Sequence, residues 1–392
     1  MVRPAHFSLK EVVRKNILAL EPYRCARDDY PGGDGTILLD ANENALGSSL
    51  GSSANADDDF LEDLELNRYP SPTHIPIKDR LCKLRDIPFS DNVFLGVGSD
   101  EVIDLLIRMT CVPGKDSILI CPPTYGMYGV CAKVNDVGVV KVPLDVNDGK
   151  FALQVDKINE TLSNDSTIKL VFICSPGNPT STLIPLDTIK QVLNHPTFKG
   201  MVVVDEAYID FVAPEASAVK LYREERWDNL VIMQTFSKGF GLAGIRMGIA
   251  VAAAETIQIL NNIKAPYSVS SPTAAIALRA LSDEGIKGYR QKLQTLATSR
   301  DWLRQEIVKL PNVLGVIGAS QGNFIMVKLG KDGKGDNDLA KRLYLSMAEE
   351  NKLVVRFRGL EHGCEGCLRI TIGSQEECVA VVDRFSRFLQ NN

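Results

Sequence analysis

Between residues 76 and 280 the chain switches repeatedly between two hydrophobic periods. The apolar runs in NVFLGVG, SILICPP, TIKLVFICSP, MVVVDEAYIDF, NLVIMQTFSK and RMGIAVAA are short and nearly unbroken, as in strands buried on both faces. Between them, SDEVIDLLIRMT, TYGMYGVCAKV and a stretch ending near His195 carry the spacing of amphipathic helices. Strands alternating with helices predict an α/β fold with a mostly parallel central sheet, covered on both faces. After residue 284 the pattern changes. Long amphipathic helices near 284–310 and 337–351, with strand candidates VLGVIG, FIMVKL, KLVVRF and CLRITIG, predict a smaller α+β domain. Residues 9–20 predict a short amphipathic helix, ILLDANENALG a short strand, and GKDGKGDND a hairpin loop.

Composition narrows the classes without choosing among enzymes. The 392 residues hold 44 Lys+Arg against 49 Asp+Glu, a net charge of −5, which gives no footprint for nucleic acid or an anionic membrane. No apolar run approaches the roughly 20 residues that span a bilayer. The nine cysteines are scattered, and the opening MVRPAHFSLKEVVRKNILAL lacks the apolar core of a secretory leader. Reduced thiols and a cytoplasmic protein are expected. Cys364 and Cys367 have CxxC spacing, yet no second Cys/His cluster completes a metal site, so a turn is expected there and no metal. The Ser- and Asp-rich segment 48–59 reads as a solvated surface loop.

The chemistry-bearing residues gather at the ends of the predicted strands, where open α/β sheets bind ligands. Asn178 follows one strand in SPGNPT; Asp205 closes another in VVVDEAY, with Tyr208 three residues on. TFSKGFGLAGIRMG supplies Thr235, Ser237, Lys238 and Arg246, and GVGSDE sets a glycine turn before a helix. Gly239–Gly244 formally matches a dinucleotide-binding GxGxxG. The acidic residue expected about 20 positions on is missing, and Lys238 has no role in that scheme. A pyridine aldehyde phosphate held as a Schiff base accounts for more. Lys238 supplies the amine, Asp205 faces the ring nitrogen, and Tyr208 and Asn178 bind the ring oxygen. Arg246, Ser237, Thr235 and the helix start Ser99–Asp100–Glu101 surround the phosphate, while Tyr125 stacks on the ring.

These motifs, with EPYRCAR, DANEN, NRYPSP, CPPTYGMYGV, KAPYSVSSPT and GCLRITIG, resemble the fold-type-I pyridoxal-phosphate aminotransferases, and among them the histidinol-phosphate aminotransferases. The resemblance runs from about residue 20 to 373. It implies an N-terminal arm and part of the small domain over 1–70, a large cofactor-binding domain over 71–283 and a small domain over 284–392. It implies that Lys238, Asp205 and Tyr208 are catalytic, and that Tyr69 reaches the cofactor phosphate of a neighbouring subunit in a homodimer. Tyr23, Tyr267, Arg356 and Arg369 would surround the phosphate of histidinol phosphate, or the carboxylate of glutamate and 2-oxoglutarate. Two arginines 13 positions apart on strand candidates suit a phosphate dianion. Gly177 and Ser181 depart from the family's usual Asn and Gly, which leaves the turn around Asn178 open. The rival readings are an aromatic amino-acid aminotransferase, a phosphothreonine decarboxylase, a cofactor-fold protein without catalysis, and a nicotinamide oxidoreductase.

Overall fold

The computed structural model describes residues 4, 6–21, 41–44, 48–49 and 64–390. Tyr23, the ILLD strand candidate and most of segment 48–59 lie outside the described residues. Among the described residues twelve strands form two sheets: β1 (Val93–Gly96), β2 (Ser117–Ile120), β3 (Gly138–Lys141), β4 (Ile168–Cys174), β5 (Met201–Asp205), β6 (Leu230–Thr235) and β7 (Gly248–Val251) in the first. The second holds β8 (Val313–Ile317), β9 (Phe324–Lys331), β10 (Lys334–Gly335), β11 (Arg356–Phe357) and β12 (Cys367–Thr371).

The seven strands run in the order β1-β7-β6-β5-β4-β2-β3. Their side chains divide with period two between two cores. Val171, Ile173, Val202, Val204 and Ile232 enter one, while Leu170, Phe172, Met201, Val203 and Met233 enter the other. Each fully buried aliphatic or aromatic side chain contributes about 1.5–3 kcal/mol, so β4, β5 and β6 anchor the sheet. Register sets their carboxyl ends level: Cys174 lies opposite Asp205, and Asp205 opposite Met233.

Three details differ from the expectation. β7 runs antiparallel to both β6 and β1, because residues 236–247 return as a tight hook with no crossover helix. β3 has no counterpart in the sequence reading: as the edge strand of GVVK it is partly exposed and carries no long apolar run. The predicted helix over 9–20 is two single turns, Leu9–Val12 and Lys15–Leu18. Val13 is extended between them, and the Arg14 N–H is donated to the Met109 carbonyl.

In the second sheet β9 pairs antiparallel with β8, β10 and β12, and β12 with β11. The KLVVRF candidate contracts to the two residues of β11. GKDGKGDND does form a hairpin loop: Asp332 and Gly333 both have positive φ, the pairing that a tight two-residue hairpin demands. Helices Asp283–Ile307, Asn337–Glu349 and Gln375–Gln390 pack on this sheet around Leu303, Leu343, Phe385 and Leu389. The last helix escaped the sequence reading, although Cys378, Val381, Phe385 and Leu389 recur on one helical face. The 25-residue Asp283–Ile307 helix joins the cores, with Ile286, Tyr289 and Leu293 in the first and Leu303 and Ile307 in the last. Cys364 is buried in the turn that precedes β12, and Cys367, also buried, is the first residue of that strand.

His74 precedes the Ile75–Arg85 helix, buried, with its Nε2 3.2 Å from the Val269 carbonyl. Burial, and next the Lys264 charge, push its imidazole down from 6.5 to about 4. The folded state therefore binds fewer protons than the unfolded chain between these values. His74 should contribute stability above pH 6.5 that is lost progressively as pH falls toward 4. His74→Asn, which tolerates the local φ of +50°, has no proton to gain. The melting-temperature advantage of the wild type over this variant should shrink steadily as pH falls from 7 to 4.5.

Candidate active site

The carboxyl ends of β4, β5 and β6 open into a cavity of about 590 Å³. It is lined by Ser99, Asp100, Tyr125, Asn178, Asp205, Tyr208, Thr235, Ser237, Lys238, Arg246, Arg356 and Arg369. Twelve of the residues singled out from sequence thus meet in one place. A wider hollow of about 970 Å³ adjoins it at Thr124, Tyr125, Gly126 and Arg358, but contains neither Lys238 nor Asp205.

Asp205 ends β5 with its carboxylate buried. Its Oδ1 accepts the Ala207 N–H at 3.1 Å, and its Oδ2 accepts the Tyr128 hydroxyl at 2.6 Å. Burial raises its pKa, and these two donors oppose the shift. Tyr128 was missed by sequence. It lies on the Met127–Val134 helix, fully buried, stacked on Phe172 at 4.7 Å between centroids. Its spacing from Tyr125 is the one available signal: Tyr125 precedes the helix, Tyr128 lies in its first turn, and the two rings meet edge-on 5.6 Å apart.

Lys238 Nζ lies 5.6 Å from the centre of the Tyr208 ring. Burial, then the nearby Arg369 charge, lowers its pKa, so less free energy separates the ammonium from a nucleophilic amine. Tyr208 packs edge-on against Phe324 at 5.0 Å. The Arg369 guanidinium lies over the same Phe324 ring at 5.3 Å and donates to Asn178 Oδ1 at 2.5 Å.

A third group of residues clusters around the start of the Gly98–Thr110 helix. Thr235 Oγ1 lies 3.0 Å from Ser237 Oγ and accepts the Ser237 N–H at 3.1 Å. Arg246 Nη2 is 3.5 Å from Asp100 Oδ2, and Asp100 Oδ1 accepts the Tyr125 hydroxyl at 3.0 Å. Gly98, at φ +75°, has no room for a side chain: a Cβ there would stand 2.5 Å from Arg246 Nη2. Unpaired helix amides, two hydroxyls and a guanidinium form a cradle for an anion.

Three expected residues stand apart from the cavity wall. Glu101 turns back, and its Oε2 accepts the Val97 N–H at 2.5 Å, so its side chain caps the helix. Tyr69 and Tyr267 stack on each other at 4.6 Å, with Tyr69 52% exposed. Arg358 also lines the cavity, and its Nη1 pairs with Glu361 at 2.7 Å. The turn at 177–181 resolves both departures from the family pattern. A Cβ at Gly177 would overlap the Thr180 hydroxyl, and Ser181 adopts φ +52°, the conformation a glycine would take there.

A model of the family described as aminotransferase class I and II matches residues 34–385. The histidinol-phosphate aminotransferase of Schizosaccharomyces pombe is 48% identical over 394 residues, covering 98% of each chain. The chain belongs to the class I and II aminotransferases, in the histidinol-phosphate aminotransferase family. The Candida maltosa relative of the same name is 44% identical over 399 residues, covering 98% of this aminotransferase and 99% of that one. The crystal structure of a Sinorhizobium meliloti histidinol-phosphate aminotransferase in complex with pyridoxal-5'-phosphate shares the fold. Its TM-score is 0.73 at 19% identity, over 90% of each chain. This aminotransferase uses pyridoxal phosphate, and the residues present fit it: a buried carboxylate with no paired cation among the described residues, a lysine lining the same cavity, and an anion cradle closed by Gly98. Among the described residues no group of three or more His, Cys, Asp or Glu side chains could hold a metal ion, and no helix is long and apolar enough to cross a membrane.

The Tyr128 hydroxyl lowers the Asp205 pKa, so its removal should raise it. Ionised Asp205 is lost as pH falls through that value. In Tyr128→Phe the acid limb of kcat/KM against pH should therefore move to higher pH, with slower transfer and weaker cofactor retention on dialysis. An unmoved limb would show that Asp205 does not depend on this hydrogen bond.

Proposed function

We propose that this aminotransferase interconverts histidinol phosphate and 2-oxoglutarate with imidazole-acetol phosphate and glutamate, in histidine biosynthesis. The observation that carries the substrate is the pairing of Arg356 with Arg369, directly opposite each other on β11 and β12, both at the cavity wall. Like charges opposite each other on a ladder are unfavourable alone, and a dianion between them reverses the sign. Arg358, already matched by Glu361, leaves this pair as the anion receptor.

Bound in the cavity, pyridoxal phosphate supplies the electron sink that transamination needs. Asp205 holds a proton on the ring nitrogen, its own geometry fixed by Tyr128 and Ala207. Tyr208 and the Asn178 amide would donate to the ring oxygen; Arg369 occupies Asn178 Oδ1, which leaves Nδ2 as the donor. Ser99, Thr235, Ser237, Arg246 and the helix amides near Asp100 and Glu101 would hold the phosphate, and Tyr125 would pack on the ring. Lys238 carries the transferred proton on Nζ, where burial and Arg369 favour the neutral amine. Tyr267, stacked on Tyr69, would approach the substrate's phosphate with Arg356 and Arg369; Tyr23, given the same role, lies outside the described residues. Tyr69 lies off its own cavity, and on this reading it serves the neighbouring site of a homodimer. On the same reading residues 71–283 form the large cofactor-binding domain, 284–392 the small domain, and 1–70 an N-terminal arm and part of the small domain, in a cytoplasmic enzyme.

Adding histidinol phosphate to the purified protein should bleach its visible cofactor absorbance, and 2-oxoglutarate should restore it. Bleaching by an unphosphorylated aromatic amino acid alone would keep the reaction type and overturn the substrate. Release of carbon dioxide from phosphothreonine would point to the decarboxylase instead. Lys238→Ala should lose turnover entirely. Arg369→Ala should raise KM for histidinol phosphate by roughly 10–100-fold, the range for losing a hydrogen bond to a charged group. An unchanged KM would count against the arginine pair.

A further inference from the structure

The first glycine of the motif that follows Lys238 is under a severe constraint. A Cβ built on Gly239 would overlap the Asp210 carboxylate, and the three nearest atoms to that position all belong to Asp210. Asp210 sits in the short turn Ile209–Phe211 and is almost sealed, with its side chain 2% exposed. Its Oδ1 pairs at 2.5 Å with Nη2 of Arg85, the last residue of the Ile75–Arg85 helix. Tyr289, from the helix that joins the two cores, faces the same carboxylate; burial and then Asp210 raise its hydroxyl pKa.

The residue after Gly239 is held as firmly. Phe240 is stacked on Tyr289 at 4.3 Å and packs against Phe236 at 4.7 Å, with the Arg85 guanidinium 6.0 Å from its ring. Backbone bonds close the loop, from the Gly241 N–H to the Lys238 carbonyl and from the Leu242 N–H to that of Phe236. Lys238 itself has no ion pair or hydrogen bond at Nζ among the described residues. It faces Tyr208, Asp205, Asp100, Arg246 and Arg369 across the cavity. Its direction is therefore set from behind, by the peptide on which it stands.

We propose that Asp210, clamped by Arg85 and Tyr289, is a positioning residue that fixes the Gly239 peptide and thereby the angle at which Lys238 enters the cavity. Because Tyr289 stands on the helix that runs on into the small-sheet core, the clamp ties the lysine to that second sheet. The other carboxylate near this cluster, Glu206, is occupied by Ser217, the Ala218 N–H and Gln234, so Arg85 is left to Asp210. Gly239 is explained by the carboxylate packed against it rather than by phosphate binding.

The proposal rests on Lys238 as the transaminating lysine. Its test uses holoenzyme of the wild type, Asp210→Asn and Gly239→Ala. A misplacement of about 1 Å in a reacting group costs roughly 100-fold in rate. Both variants should lose about 10-fold or more in kcat, with KM for histidinol phosphate within about 2-fold of wild type. The pH midpoint of the bound cofactor's visible absorbance, which reports the Lys238 nitrogen, should shift by about 0.5 unit or more. Arg85→Lys, which keeps a cation, should recover most of what Arg85→Met loses. Wild-type kcat and midpoint in a variant with a lowered melting temperature would overturn the proposal, leaving Asp210 a purely structural role. Should Asp210→Asn or Gly239→Ala fail to fold, Tyr289→Phe, which keeps the ring stack, decides: a moved midpoint supports the clamp and an unmoved one overturns it. A wild type without visible absorbance or amine transfer would instead remove the reading of Lys238; a normal wild type with unmoved variants removes only the clamp.

Discussion

A carboxylate kept away from water at the end of a central strand is the constraint around which this molecule is arranged. Asp205 is buried because β5 is flanked on both sides by apolar strands and covered on both faces by core. A charge in such a place is costly unless partners meet it. The Tyr128 hydroxyl and the Ala207 N–H supply part of the compensation. The rest has to come from a cation in the cavity, and a protonated pyridine ring is a planar one. The level ends of β4, β5 and β6 bring Asn178, Tyr208 and Lys238 around the same point, so the sheet register and the cofactor chemistry are one geometric fact.

Much of this was legible in sequence, for a physical reason. Strands buried on both faces cannot hide a polar residue, so each polar side chain at a strand end stands out. Asp205 after VVV and Thr235 after LVIMQ are visible in that way. The same contrast made the central strands plain and left β3 unseen, since an edge strand with partly exposed side chains has no such run. The direction of β7 was hidden because strand composition does not encode polarity; only the length and shape of the link after β6 decide it.

The site residues that sequence missed or misjudged act through support rather than contact. Tyr128 looks like any core aromatic on a helix, and only its hydroxyl end reveals a second duty. Glu101 carries the right charge at the right helix end, but its side chain satisfies a backbone N–H of its own chain. Ser181 shows the limit of reading a departure from a pattern. A serine in the left-handed region is strained but tolerated, and the turn keeps the shape that a glycine would give it.

The two-residue strand β11 carries a further consequence. Its pairing with β12 has only two rungs, and one of them sets Arg356 against Arg369. Without an anion that rung works against the ladder. With one, as the proposed function has it, the guanidiniums would become two ends of a bridge. Occupancy of the site would then steady this short edge of the sheet.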